Sequence, residues 1–236
     1  MEIISGLYRL AGAGQGVNAY LWRPRNGKDD AAPLLFDCGW PWSGKGLVAD
    51  LVALGCRPQQ IRAIAITHDD IDHTGRLAPL QAVSGATVIA HTAEIARLGG
   101  DHWRPLPRNG GLDDVLGGIA DLLYAPWRHH PVRVSHPARD GDRLPGGWLV
   151  VHTPGHTPGH AAYFHPLLGV AIVGDALGSP RNGRLRAPAP IYAEDMGEAI
   201  RSVRKLAELE PAIICFGHGP ILRDAAQALR RLASAL

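Results

Sequence analysis

A chain of 236 residues with 46% apolar and 19% charged residues has the balance of a folded globular protein, long enough to bury a large interior, which excludes a disordered chain. A formal net charge of +2 supplies no basic face of the kind that nucleic acid requires. Three cysteines, Cys38, Cys56 and Cys215, carry no paired spacing and read as reduced thiols. Met1 to Gly6 lacks the basic region and long apolar core of an export signal, and no run approaches the roughly 20 apolar residues that span a bilayer. These features predict a soluble, cytoplasmic protein with no membrane contact, folded as a single unit over residues 1–236.

The chain opens with two apolar strands, Leu7 to Leu10 and Val17 to Trp22, joined by the turn Gly12-Ala13-Gly14-Gln15-Gly16. These glycines are a hairpin turn and not a dinucleotide loop, because the spacing is not GxGxxG and no helical pattern follows. A polar loop, Arg23 to Ala32, leads to a buried strand, Pro33 to Phe36, that ends in Asp37-Cys38-Gly39. Asp37 can orient a ligand histidine from behind, or can belong to a plain turn leading into a helix. The helix is expected over Gly46 to Leu54, with Cys56-Arg57-Pro58 ending it, and Ile61 to Ile66 reads as the next strand.

That strand delivers Ile66-Thr67-His68-Asp69-Asp70-Ile71-Asp72-His73-Thr74-Gly75, with five acid or imidazole side chains in six residues. A helix from Thr74 to Val83 would place the motif on a strand-to-helix turn, where the alternate side chains His68, Asp70 and Asp72 can converge on one point and His73 can turn toward a second. Imidazole nitrogens and carboxylate oxygens are ligands for zinc, iron and manganese. A solvated acidic loop with two incidental histidines is the alternative. Three further signals downstream, each at the end of an apolar run, weigh against it.

Ala86 to Ala90 reads as a strand and Thr92 to Leu98 as a helix, with His91 or Thr92 near its cap; this alternation indicates a layered α/β fold. Gly99 to Pro131 breaks the rhythm, with Trp103, Trp127, Tyr124, His102, His129 and His130 among prolines and glycines. A helix over Leu112 to Tyr124 inside a pocket-covering insertion at about 99–135 is the preferred reading, against an ordinary packed excursion. Val132 to Val134 is a possible strand and Asp140-Gly141-Asp142 a turn. Trp148 to His152 then leads into Thr153-Pro154-Gly155-His156-Thr157-Pro158-Gly159-His160, a loop stiffened by two prolines and two glycines, as a metal ligand requires. His156, at its centre, is assigned as a ligand. His160 opens the strand Ala161 to His165 and is expected to support the loop.

Gly169 to Val173 is an apolar strand ending in Gly174-Asp175, where one carboxylate with two oxygens could bridge two cations or could cap a helix. The Pro- and Gly-rich segment from Leu177 to Tyr192 carries Arg181, Arg184 and Arg186, suited to an anionic substrate or simply to solvent. Asp195 to Leu209 is an amphipathic helix with Ala199, Val203, Leu206 and Leu209 on one face. Pro211 to Phe216 is the last core strand; it ends in Gly217-His218-Gly219, whose flanking glycines free His218 to point into a site, and Pro220 is expected to start a closing helix over Leu222 to Leu236.

The series Asp37-Cys38-Gly39, the HxxxDH core from His68 to His73, Thr153 to His156, Gly174-Asp175 and Gly217-His218-Gly219 resembles the metallo-β-lactamase superfamily over nearly the whole chain. The resemblance implies an αββα four-layer sandwich with the site on one edge. It further implies two divalent metal ions, one held by His68, Asp70 and His156 and the other by Asp72, His73 and His218, with Asp175 bridging. Zinc is the metal the family implies. One position departs from the family's HxHxDH pattern, because Asp70 stands where the second histidine belongs. The flavodiiron branch similarly places a glutamate there and binds iron, although this chain lacks a flavodoxin-like extension. Exchanging a neutral imidazole for a carboxylate adds one negative charge, which predicts a weaker Lewis acid, a more basic bridging hydroxide, and a shift toward manganese or iron.

The activity implied is hydrolysis of a small ester, thiolester, lactone, amide or phosphodiester by a metal-bridging hydroxide, with Asp72 as the catalytic carboxylate that orients the nucleophile or carries its proton. The alternatives are a non-haem iron oxygenase or oxidase acting on sulfur compounds or O₂, built on His68, His156 and Asp175, and a non-catalytic metal-binding module. A small molecule is the expected partner. Loops 99–131 and 177–192 would set its identity.

Overall fold

Two sheets share a core because their strands alternate large apolar side chains on both faces. In the computed structural model, which describes residues 1–23, 32–100, 131–181 and 184–236 together with positions 115, 118, 119 and 122, the first sheet has seven strands in sequence order. They are β1 (Glu2–Ile4), β2 (Leu7–Leu10), β3 (Ala19–Trp22), β4 (Leu34–Phe36), β5 (Ala63–Ala65), β6 (Thr87–His91) and β7 (His136–Ala138). Pairing is antiparallel from β1 to β4 and parallel from β4 to β7. The second sheet runs in the order β14 (Leu222–Arg223), β13 (Ile213–Phe216), β10 (Val170–Gly174), β9 (Ala161–His165) and β8 (Leu149–His152). A separate ribbon pairs β11 (Gly178–Arg181) with β12 (Arg184–Arg186).

Three apolar clusters separate the four layers. The central one lies between the sheets and takes Phe36, Ala63, Ala65, Val150, Tyr163, Ile213 and Cys215. Their alternate neighbours go outward: Leu35 and Ile64 meet Leu47 and Leu51 of α1 (Gly44–Ala53) and Leu77 and Leu80 of α3 (Leu77–Ser84). On the other side Val151, Ala162, Phe164 and Ile214 meet Val203 and Leu206 of α5 (Met196–Glu208) and Leu229 of α6 (Ala225–Ala235). Period two in both sheets thus produces the αββα sandwich, one domain. Trp148, fully buried, packs against Phe36 with ring centroids 4.7 Å apart and planes tilted by 59°, and each such apolar side chain contributes roughly 1.5–3 kcal/mol.

Two tyrosines pin the sheets together at the edge that matters. Tyr20 on β3 donates its hydroxyl to the Phe216 carbonyl at 2.6 Å, and Tyr163 on β9 donates to the Ile66 carbonyl at 2.7 Å. Each bond crosses from one sheet to the other and ends at the residue where a core strand gives way to a His-bearing turn.

Three local expectations change. The helix expected from Thr74 is two, α2 (Ile71–Thr74) and α3, because Gly75 lies against Pro41, where a Cβ would come within 2.3 Å of its ring, and Arg76 leaves helical geometry while donating to the Pro41 carbonyl. Val132 and Val134 are buried against the first sheet's outer face, but ladder pairing begins only at His136. Leu222 and Arg223 pair with β13, and Asp224, at φ 52, turns the chain before the closing helix begins at Ala225. The expected insertion at about 99–135, with its aromatic residues, falls largely outside the described residues. Among the described residues no helix is long and apolar enough to cross a membrane.

Candidate metal centre

All seven predicted ligands come together at the strand ends of the two sheets. The β5 strand ends before Thr67-His68, and Asp70 occupies the position before α2, where its carbonyl accepts the amides of His73 and Thr74, both at 2.9 Å. Its side chain makes no capping bond to the helix and turns instead toward the second sheet, placing Oδ2 3.0 Å from Nε2 of His156 and 3.4 Å from Nε2 of His68. Within the next helical turn, Asp72 and His73 face the other way. Asp72 Oδ2 lies 3.3 Å from Nε2 of His218, and Asp175 Oδ2 lies 3.2 Å from the same nitrogen. Asp175 Oδ1 reaches Nε2 of His73 at 3.5 Å. Ligand atoms of His68, His156 and Asp175 all lie within 4.8 Å of one another, and so do those of Asp72, His73 and His218.

A chain of donors fixes which ring nitrogen each histidine turns inward. Asp37, the buried residue after β4, accepts the Thr67 amide at 2.8 Å and the Thr67 hydroxyl at 2.9 Å. With its proton given to Asp37, the Thr67 oxygen is left to accept from Nδ1 of His68 at 2.9 Å. Asp37 also accepts from Nδ1 of His73 at 2.9 Å. His218 donates its Nδ1 proton to the Gly16 carbonyl at 2.8 Å. In all three rings Nδ1 is committed outward and Nε2 is turned toward the centre, the arrangement that orients imidazole toward a cation. Of the two roles open to Asp37, it takes the orienting one.

The remaining loops are held as tightly. Gly155 presses on α5, where a Cβ would come within 2.3 Å of the Ala199 nitrogen, so the His156 loop can lie against that helix only with glycine here. His160 donates Nδ1 to the Thr153 hydroxyl at 2.8 Å and accepts the Asp175 amide on Nε2 at 3.1 Å, so it supports two ligand loops and is itself spent. Beside His218, a Cβ on Gly217 would lie 2.1 Å from Asp175 Oδ1. Asn18 donates to the carbonyls of Phe216 and Gly219 at 2.9 and 2.8 Å and fastens the His218 turn to the first sheet.

The electrostatics are those of a cation site. Burial, and then the neighbouring His73, push His68 down to about 4, so its ring is neutral and can offer a lone pair. Burial disfavours charge on His218 too, but the hydrogen bond and charge of Asp175 outweigh it and raise that imidazole to about 9. Burial likewise opposes a proton on His73, yet Asp72, Asp37 and Asp175 together raise it. Burial, and then Asp70 and Asp175, push Asp72 up, whereas Asp175 is held low by His73 and His218 against its own burial. Carboxylates that keep protons on two imidazoles are carboxylates that attract positive charge. Nε2 of His68 and Oδ1 of Asp175 are moreover buried with no hydrogen-bond partner among the described residues, and a divalent cation is a group that these donor atoms fit.

Asn18 and Glu94 had no signal in the sequence, and Thr67 had only a faint one. Thr67 and Asn18 act through partners brought to them by the fold; Glu94 sits in a stretch that reads as ordinary helix. The polar character of Thr67 at the end of an apolar strand was the nearest thing to a clue.

An αββα sandwich with histidines and aspartates gathered at one edge defines a class of metal-dependent hydrolases. The family model described as the metallo-beta-lactamase superfamily matches residues 12–218. A probable metallo-hydrolase of Bacillus subtilis (strain 168) is 28% identical over 79% of this chain and 75% of its own length. A hydroxyacylglutathione hydrolase of Fuscovulum blasticum is 30% identical over 81% of this chain and 63% of its own length. Among solved structures, a metallo-beta-lactamase family protein from Thermus thermophilus superposes with a TM-score of 0.73 at 26% identity, covering 99% of this chain and 80% of the other. The chain belongs to the metallo-beta-lactamase superfamily and is an enzyme of its metallo-hydrolase class.

Proposed function

We propose that this protein hydrolyses a small acyl substrate, a thiolester in the first instance, at a pair of divalent cations. One cation site is His68, Asp70 and His156, the other is Asp72, His73 and His218, and Asp175 serves both. The observation that carries this reading is the pair of buried atoms without a hydrogen-bond partner among the described residues, Nε2 of His68 and Oδ1 of Asp175, facing a cluster of carboxylates. Kinship with hydroxyacylglutathione hydrolases favours thiolesters over lactones, amides and phosphodiesters.

Bound divalent cations would supply Lewis acidity, polarising the scissile carbonyl and lowering the pKa of a water toward about 7. The residues do the rest. Asp72, whose Oδ2 lies 3.3 Å from Nε2 of His218, would use its other oxygen to orient the attacking water or carry its proton to the leaving group. Asp37 and Thr67 keep His68 and His73 in the tautomer that leaves Nε2 available. His160 holds the Asp175 backbone, so its carboxylate stays between the two sides. Asp70 adds a negative charge that family relatives with histidine lack, which moves preference from zinc toward manganese or iron.

Metal analysis of protein purified without chelator, followed by an ester, thiolester, lactone, amide and phosphodiester panel before and after chelation, tests the reading. Chelator-sensitive turnover that divalent metal restores supports it. A metal-loaded protein that turns over no member of the panel overturns it. A second reading rests on the grouping of His68, His156 and Asp175, two imidazoles and one carboxylate of the kind non-haem iron uses. Iron-dependent oxygen uptake with a persulfide would favour that reading over hydrolysis.

A further inference from the structure

The loops that carry Asp70 and His156 come from opposite sheets, and one short helical segment touches both. After β6 the chain makes a turn over Thr92–Glu94 and a helical turn, α4 (Ile95–Leu98), that presents Glu94 and Arg97. Arg97 is the arm that spans the gap. Its Nη1 and Nη2 groups donate to the two carboxylate oxygens of Glu194 at 2.6 and 3.1 Å, and Nη1 also lies 3.8 Å from Asp69 Oδ1. Asp69 is the neighbour of Asp70. Glu194 donates its amide to the His156 carbonyl at 3.3 Å, and Asp195 donates to the Gly155 carbonyl at 2.9 Å. From beneath, the Thr157 hydroxyl donates to Glu94, and Gly159 lies so close that a Cβ would come within 2.6 Å of the Glu94 nitrogen.

We propose that Arg97 is a positioning residue for the cation site of His68, Asp70 and His156. By holding Asp69 and Glu194 at once, it sets the separation of the loops bearing Asp70 and His156, so that a carboxylate can serve where the family has an imidazole. The physical reason lies in the fork. A guanidinium presents paired donors in a fixed plane, and a bidentate bond to a carboxylate fixes orientation as well as distance. The three side chains are largely withdrawn from water, at 19% exposure for Arg97, 11% for Asp69 and 28% for Glu194, so the pairs are less screened than surface ion pairs. Arg97 also sets positive charge beside the carboxylate of Asp69, the chain neighbour of Asp70. The hydrogen bonds of Arg97 to Glu194 and its 3.8 Å ion pair with Asp69 lead to the loops of His156 and Asp70 and not to the turn that carries His218.

The inference rests on the two-cation reading, and its test separates the two. Bound metal is counted by elemental analysis after dialysis against a weak chelator, in wild type, Arg97→Lys, Arg97→Met and Glu194→Gln, with thermal melting of each metal-stripped protein in parallel. Wild type should keep both ions. Arg97→Met should weaken one of them by about 10–100-fold and leave the other, with Arg97→Lys and Glu194→Gln intermediate and the metal-stripped melting temperatures close to wild type. In a His218→Ala background, where only the Arg97-supported site is intact, Arg97→Met should lose the remaining ion. Retention of both ions at wild-type affinity in Arg97→Met overturns the inference, as does equal weakening of both ions in step with a fall in metal-stripped stability. Wild-type protein that binds no metal would instead sink the two-cation reading itself.

Discussion

The imidazoles of His68 and His156 are sealed inside the protein, with side chains 0% and 2% exposed, whereas that of His218 is 43% exposed. The first pair lies where two loops are tied to each other, to α5 and to His160; the last stands on a turn held by Asn18 and by a bond to the Gly16 carbonyl. A site whose imidazoles cannot swing is preformed, and one with a solvent-facing imidazole can adjust. The account therefore places tight binding on the His68 side and exchange with solvent on the His218 side.

The largest effect that would break this contrast comes from its most buried member. His68→Ala should abolish binding on its own side and lower hydrolysis by about a thousandfold, since a lost Lewis acid is worth several kcal/mol and each 1.36 kcal/mol is tenfold. His218→Ala should cost nearer a hundredfold, read by metal titration and by kcat. Equal losses would erase the difference between the sides. Next in size, Asp37→Asn leaves the donors of Thr67 and His73 facing an amide, and should weaken metal binding on both sides by about 10–100-fold.

Asp70→His restores the family's HxHxDH pattern and removes one negative charge, so competition between zinc and manganese should shift several-fold toward zinc. An unchanged ratio would show that Asp70 takes no part in metal choice. The smallest effect concerns pH. Burial first, then repulsion from Asp69, raises Glu94 to about 8 from an ordinary value near 4.5. Folded protein thus holds this proton more tightly than unfolded protein does, so the contribution is complete below about 4.5 and is lost as pH rises through about 8. Melting temperature should accordingly fall less between pH 5 and 8 in Glu94→Gln than in wild type, by a few degrees, measured by scanning calorimetry.

The cluster of candidate ligands was legible because each sits beside a local sign: an apolar strand ending, a glycine or proline at the turn, then an acid or imidazole. The layered fold followed from alternating strand and helix patterns. What could not be read were pairings across the fold. Asp37 was readable as able to orient a histidine but not as the partner of His73, 36 residues on; Asn18 reaches Phe216 over 198 residues and Glu94 meets Thr157 over 63, and no local pattern encodes such contacts. Pro220 misled for a related reason: proline commonly opens helices, but here the following residues were claimed by β13 as an edge partner.

The central claim is that these seven side chains hold a pair of cations, and anomalous diffraction from crystals of protein purified without chelator tests it most directly. The account predicts one peak in contact with His68, Asp70 and His156, a second in contact with Asp72, His73 and His218, and Asp175 touching both. A map with no peak within coordination distance of either group would contradict it.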